Sequence, residues 1–267
     1  QEVCGKRAID YFADKFDDPM MYAQAVKSVS VPTQSILFNI DIEGPLTKDK
    51  TAVLRVFAKM FYNHCGFYGD DLKIAKLERF IEKQGKTQQF REAFEKVNGA
   101  PWTETRDSFA FFEDDIVSVL QSTLGMSEQA ARNWFNGEET NELSIAQLVA
   151  DIQEYVDGKG KDFRLLFMVD EVGQYIGDDG DLMINLQSLV EEIGIRCHGK
   201  VWVMVTSQEA IDSVVHITGN DFSKIQGRFN TRLSLSSSSV DEVIKKRVLA
   251  KTDAADQLLR MVYDKEH

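Results

Sequence analysis

Residues Leu165 to Val169 form an unbroken apolar run that stops at Asp170-Glu171. A run this short, bounded by polar residues, reads as a strand buried on both faces, the usual state in a parallel sheet. One helix-length later, Val201 to Val205 repeats the pattern and stops at Thr206-Ser207-Gln208. Between the two, Leu182, Leu186, Leu189, Val190 and Ile193 recur at helical spacing. Ser35 to Asp41 reads as an earlier strand and Thr231 to Leu235 as a later, shorter one. The class is therefore α/β with a parallel sheet. Open sheets of this kind hold ligands at the carboxyl ends of their strands, which directs attention to Asp170, Glu171, Thr206 and Ser207. Asp41, at the end of the first strand, reads more simply as a cap for the next element.

A strand ending in two acids matches the arrangement that P-loop NTPases use beside a nucleotide. The first acid, Asp170, is the candidate to hold Mg²⁺ on the phosphates through water. The second, Glu171, is placed to orient and deprotonate an attacking water. Thr206 or Ser207, at the end of the neighbouring strand, offers a hydroxyl to the γ-phosphate. Gly227-Arg228-Phe229-Asn230-Thr231-Arg232 leads into the last strand. Arginines there act as fingers on transition-state charge, often toward a neighbouring subunit. Arg228, in the loop, is the first candidate and Arg232, at the strand start, the second. An apolar strand followed by Asp-Glu is by itself commonly an ordinary buried strand; the three strand-end motifs in this order favour a nucleotide-binding core.

Two stretches imitate the phosphate-binding loop without meeting its requirements. Gly44 to Thr51 follows a strand and precedes a helix, but Asp49 stands where GxxxxGK[ST] needs its second glycine. A carboxylate there repels phosphate and blocks close approach of the backbone amides. Gly85-Lys86-Thr87 follows a helical pattern (Leu72, Ile74, Leu77, Phe80, Ile81), so Gly85 reads as a helix C-cap. The acids Asp178, Asp179 and Asp181 lack the alternating ligands of a calcium loop and read as loop and N-cap.

From Thr51 to Asp157 the pattern is helical throughout, and residues 43–160 form an expected helical insertion between sheet strands. Apolar faces recur at Val53, Val56, Phe57, Met60 and Phe61, at Phe90, Phe94 and Val97, and at Phe109, Phe112, Ile116, Val119 and Leu120. Ser144 caps the helix carrying Leu148, Val149 and Ile152. The aromatic cluster Trp102, Phe109, Phe111, Phe112, Trp134 and Phe135 reads as core. Residues 161–238 then hold the motif-bearing strands. Residues 239–267 read as helical, opened by the capping box Ser239 to Glu242.

Composition limits the functional classes. With 267 residues, 43% of them apolar, the chain can bury a large core. A net charge of −12 argues against a DNA-gripping surface, since backbone affinity comes from basic side chains. Cys4, Cys65 and Cys197 are isolated in sequence, which points to reduced cytoplasmic thiols and no zinc site. No run reaches membrane-spanning length, and no signature of a nuclease or methyltransferase is present.

The phrases VDEVGQYIGDDGDLMINLQSLVEEIG, VTSQEAID and FSKIQGRFNTRLSLSSSSVDEVIKKRVL resemble the BrxC (PglY) family, the P-loop proteins of BREX phage-defence systems. GKRAIDYFADKFDDPM and ILFNID resemble the same family, and the similarity is thinnest in the middle of the chain. The resemblance implies an ATPase related to the AAA+ class, with a parallel sheet, helices on both faces, a large helical insertion and, over residues 239–267, the start of a helical lid. It implies a Walker A loop upstream of the GKRAIDYF phrase, ATP and Mg²⁺ as cofactors, and other BREX components and further copies of itself as partners. The alternative expectation is a degenerate, non-hydrolysing ATPase fold that serves the same complex as a scaffold.

Overall fold

The computed structural model describes residues 2–3, 5–15, 18–45, 47–137, 143–177, 179–207, 229, 231, 233, 244, 249 and 251–266. They fall into two units, residues 1–228 and 229–267. The first unit is an α/β body with a small parallel sheet. It opens with a hairpin of β1 (Glu2–Val3) and β2 (Lys6–Arg7), a 3-10 helix over Ala8–Lys15, and α1 (Pro19–Val29). Asp18 caps α1 by accepting from the Met20 amide at 2.8 Å, and Pro19 supplies the preset φ of a first helical turn.

The sheet proper has three strands in the order β3 (Thr33–Asn39), β4 (Arg164–Asp170), β5 (Val201–Val205), all parallel. β3 starts and ends two residues earlier than the expected Ser35–Asp41. Asn39 ends it, because its side-chain oxygen accepts from the amides of Asp41 (2.9 Å) and Ile42 (3.2 Å) and so turns the chain into the one-turn helix α2 (Ile40–Glu43). The register sets Leu37 beside Met168 and Met168 beside Met204, and Asn39 beside Asp170.

Burial along the strands alternates. Ile36, Phe38, Leu165, Phe167, Val169 and Val201 face a core, whereas Leu37, Met168, Trp202 and Met204 are 69%, 37%, 56% and 44% exposed. The expectation of a strand buried on both faces, with helices on both sides, is thus corrected: among the described residues the helices packed on the sheet lie on one face. They are α3 (Ala52–His64) against β3, α11 (Gly180–Arg196) against β5, and α9 (Ile145–Gly158) against α11. The physical reason is the strand order. A parallel crossover is right-handed in about 98% of cases, and β3 to β4 to β5 steps in one direction only. Both connections therefore pass over the same face. Phe57 of α3 anchors this layer, with ring centroids 5.5 Å from Phe38 and 5.3 Å from Phe167.

Between α3 and α9 the chain makes a second core from α4 (Leu72–Lys83), α5 (Thr87–Asn98), α6 (Trp102–Thr105), a 3-10 turn over Arg106–Phe111, α7 (Glu113–Leu124) and α8 (Glu128–Asn136). α3 and α9 belong to the sheet layer, so the separately packed helical part is shorter than residues 43–160. Phe90, Phe94 and Trp102 interlock at its centre with centroids 5.0–6.3 Å apart. Of the aromatic cluster expected in the core, Phe111 is the exception and lies exposed. Gly85 closes α4 at φ 65° with Gly85 N–H to Glu82 O (2.8 Å) and Lys86 N–H to Ile81 O (3.1 Å), the paired bonds of a Schellman cap.

One buried carboxylate joins the layers. Asp151 of α9 accepts from Tyr62 Oη of α3 at 2.7 Å and from Gln147 at 3.1 Å, and it pairs with Arg79 of α4 at 2.6 Å. Burial and this carboxylate together push the Tyr62 phenol far above its ordinary pKa.

In the second unit, α12 (Asp253–Glu266) is an exposed helix with an Arg260–Asp256 pair at 2.9 Å. Of the short strand expected over Thr231–Leu235, Thr231 and Leu233 are described and neither is in a strand. The capping box at Ser239–Glu242 lies outside the described residues.

Candidate functional site

The carboxyl ends of β3, β4 and β5 bring four of the sequence-derived candidates together. Asp170 ends β4 on the open side of the sheet. Its Oδ1 accepts from Thr206 Oγ1, which follows β5, and from the Glu171 amide at 3.2 Å. Glu171 N–H lies 3.3 Å from Thr206 Oγ1 as well, so one amide and one hydroxyl tie the two strand ends together. Backbone bonds continue the zipper: Thr206 N–H to Val169 O at 2.9 Å and Val172 N–H to Thr206 O at 3.0 Å.

Glu171 adopts φ 61°, ψ 29°, the left-handed region that non-glycine residues seldom enter. The turn lets the chain leave β4 directly into α10 (Val172–Ile176), and it aims the Glu171 carboxylate across to β3. There Asn39 Nδ2 donates to Glu171 Oε2 at 2.6 Å. The Asn39 side chain is fixed at both ends, since its oxygen already serves the α2 amides. Sequence reading missed Asn39; the available signal was its place at the end of an apolar strand, in register with Asp170.

Ser207 follows, with its Oγ buried and without a hydrogen-bond partner among the described residues. It packs on Gly173, where a Cβ would fall 2.0 Å from Ser207 Oγ and 3.0 Å from its Cβ. Only glycine lets α10 start this close to the end of β5. Arg228 and Arg232, the candidate fingers, lie outside the described residues.

The segment Gly44 to Thr51 is engaged internally. Asp49 Oδ1 accepts from Thr51 N–H (2.7 Å) and Thr51 Oγ1 (2.6 Å), so the carboxylate occupies the N-terminus of α3 where a phosphate loop holds its anion. These bonds hold the Asp49 carboxyl below its usual range, Thr51 being the main cause. Lys48 Nζ sits 4.0 Å from the centroid of the Tyr175 ring and donates to Tyr175 O at 2.9 Å. Gly44 is in close contact with the same tyrosine: a Cβ there would meet Tyr175 Cε2 at 2.7 Å. The loop is thus a strap over α10.

Asp179 caps α11 by accepting from the Asp181 and Leu182 amides. His198 is exposed in the turn before β5. No group of three or more His, Cys, Asp or Glu able to hold a metal occurs among the described residues. Mg²⁺ on a nucleotide needs no such cage, because one or two carboxylates, phosphate oxygens and water complete its shell. The exposed Asp170 carboxylate beside the Thr206 hydroxyl is a hard-oxygen donor set that fits that requirement. No family model matches the chain, and no solved structure matches it.

Proposed function

We propose that this chain carries the hydrolytic half of a P-loop-type ATPase site, related to the AAA+ class. The observation that supports the reading is the row formed at the carboxyl ends of three adjacent parallel strands: Asn39, then Asp170-Glu171, then Thr206-Ser207. The Asn39 amide, 2.6 Å from Glu171 Oε2, orients the second carboxylate from the neighbouring strand.

In this reading Asp170 would hold Mg²⁺ through water, and the ion would supply charge neutralisation for the phosphoryl oxygens. Thr206 fixes the Asp170 carboxylate by donating to Oδ1. Glu171 is the general base that takes the proton of the attacking water. Asn39 is a positioning residue that sets the plane of the Glu171 carboxylate. Ser207, whose hydroxyl is buried and without a hydrogen-bond partner among the described residues, is the candidate to sense the γ-phosphate. Arg228, with Arg232 second, acts on a neighbouring subunit. By the family resemblance, the intact protein uses ATP to assemble or remodel a BREX phage-defence complex in the cytoplasm, with other BREX components and further copies of itself.

The test is a titration of the intact protein with a fluorescent ATP analogue, with and without Mg²⁺. Binding strengthened by Mg²⁺ in the natural protein, and insensitive to Mg²⁺ in Asp170→Asn, supports the assignment. Binding that ignores Mg²⁺ in both proteins overturns it. Mg²⁺-dependent binding without turnover leaves the scaffold role as the function.

A further inference from the structure

A cavity of about 150 Å³ lies at the edge of the helical core, where α4, α5 and α6 meet the turn that ends α3. Phe67, Ile81, Phe90 and Trp102 form its walls, and none of them is more than 9% exposed. Voids larger than a water molecule are few in a packed interior. One of this size with apolar walls stays dry and admits a benzene-sized body. The buried carboxylate on its wall, Glu78, is already satisfied: Tyr68 N–H at 2.5 Å, Trp102 Nε1–H at 2.7 Å and Arg106 at 2.9 Å all donate to it. These bonds fix the Trp102 indole in place. Cys65 borders the cavity as well. Burial pushes its thiol up to about 12, so at neutral pH it is an uncharged wall and not a nucleophile.

The mouth of the cavity has a different chemistry. Glu82, near the end of α4, and Arg91, in the second turn of α5, both line it and are exposed. Thr87 opens α5 one turn before Arg91, on the same helix face. None of these three side chains has a hydrogen bond or ion pair among the described residues, and Glu82 and Arg91 do not pair with each other. Elsewhere on this helical part the charges are used: Arg79 and Lys83 hold Glu154, and Arg132 holds Glu113, Asp114 and Glu128. An unspent carboxylate and an unspent guanidinium beside one apolar well suit a ligand with both charges at one end and an apolar body at the other.

We propose that this cavity binds a free α-amino acid with an apolar side chain of about phenyl size. The side chain enters the well beside the Phe90 and Trp102 rings. The carboxylate meets the Arg91 guanidinium and the Thr87 hydroxyl, which donates to it, and the ammonium donates to Glu82. A carboxylic acid without the amine leaves Glu82 facing a like charge, and an amine without the carboxylate does the same to Arg91, so the pair of charges selects the zwitterion. The proposal rests on the cavity and its mouth and not on the nucleotide reading.

The test is calorimetric titration of residues 1–267, without nucleotide, with L-phenylalanine, L-alanine, 3-phenylpropionate and 2-phenylethylamine. The expected result is saturable binding of one phenylalanine per chain. Each of the other three binds at least about tenfold more weakly, because each lacks either the buried ring or one charge-assisted hydrogen bond. Glu82→Gln and Arg91→Gln change exposed side chains that no described residue engages, so the fold is retained. Each weakens phenylalanine about tenfold. Glu82→Gln leaves 3-phenylpropionate no weaker, and Arg91→Gln leaves 2-phenylethylamine no weaker. The absence of saturable phenylalanine binding overturns the proposal. So does alanine or 3-phenylpropionate binding as tightly as phenylalanine, or a phenylalanine affinity that both substitutions leave unchanged. Because no nucleotide is present, failure here leaves the role of Glu171 intact, and failure of that role leaves this site intact.

Discussion

Replacing Ser207 by alanine separates stability from function at this site. The hydroxyl is buried and has no hydrogen-bond partner among the described residues, whereas in the unfolded chain water satisfies it. An orphaned buried donor costs about 1–3 kcal/mol. Ser207→Ala removes that penalty and forfeits only the dispersion contacts of one oxygen, at about 0.1–0.2 kcal/mol per atom pair. The Cβ that packs on Gly173 is retained. The net expectation is a gain of about 1 kcal/mol, read as a higher urea midpoint at unchanged slope, with the melting temperature up by about 2–4 °C for a domain of this size. On the proposed function, the same substitution lowers ATP turnover of the intact protein. A Ser207→Ala chain that is less stable than the natural one refutes the reasoning, since it means the hydroxyl is already satisfied in the folded protein.

Three other perturbations test the geometry. Gly173→Ala drives a Cβ into Ser207 and destabilises the chain by about 1–3 kcal/mol in urea titration; adding Ser207→Gly restores most of the loss, and additive losses contradict the packing argument. Asp151→Ala leaves the Tyr62 hydroxyl and Arg79 without their shared acceptor, so chemical denaturation shows a loss of about 3–5 kcal/mol, while Tyr62→Phe costs about 1 kcal/mol. Burial, and secondarily Lys159, hold the His64 imidazole below its ordinary pKa. The unfolded chain therefore takes up a proton before the folded one does. The stability owed to neutral His64 is complete above pH of about 6.5 and declines as pH falls below it. His64→Gln flattens the stability–pH curve over that window, and an unchanged curve removes His64 as its cause.

The parts of the fold legible in the sequence are those with strong local signals. The two apolar strands, the Ser144 cap and the Gly85 helix stop depend on short-range chemistry, and the structure has each of them. The one-sided cover of the sheet was not legible, because Leu165–Val169 is apolar at every position and carries no alternation to show which face is bare. The end of β3 was misplaced by two residues because Asn39, not Asp41, bonds the α2 amides. Of the candidate site, the positions on β4 and β5 were legible, where the acids and hydroxyls end their strands. Asn39 and Gly173 were not, since their roles come from strand register and from a 2.0 Å clash that exists only in three dimensions. The loop from Gly44 to Thr51 shows the reverse case: Asp49, read as an obstacle to phosphate, takes the anion's place at the helix end.

The central claim is that Glu171, oriented by Asn39, is the base that activates water for ATP hydrolysis. Steady-state Mg·ATP turnover of the intact protein, natural against Glu171→Gln, tests it most directly. With Glu171 as the base, turnover falls by about 10²–10⁴-fold while Mg·ATP binding is retained. Turnover that Glu171→Gln leaves unchanged contradicts the assignment.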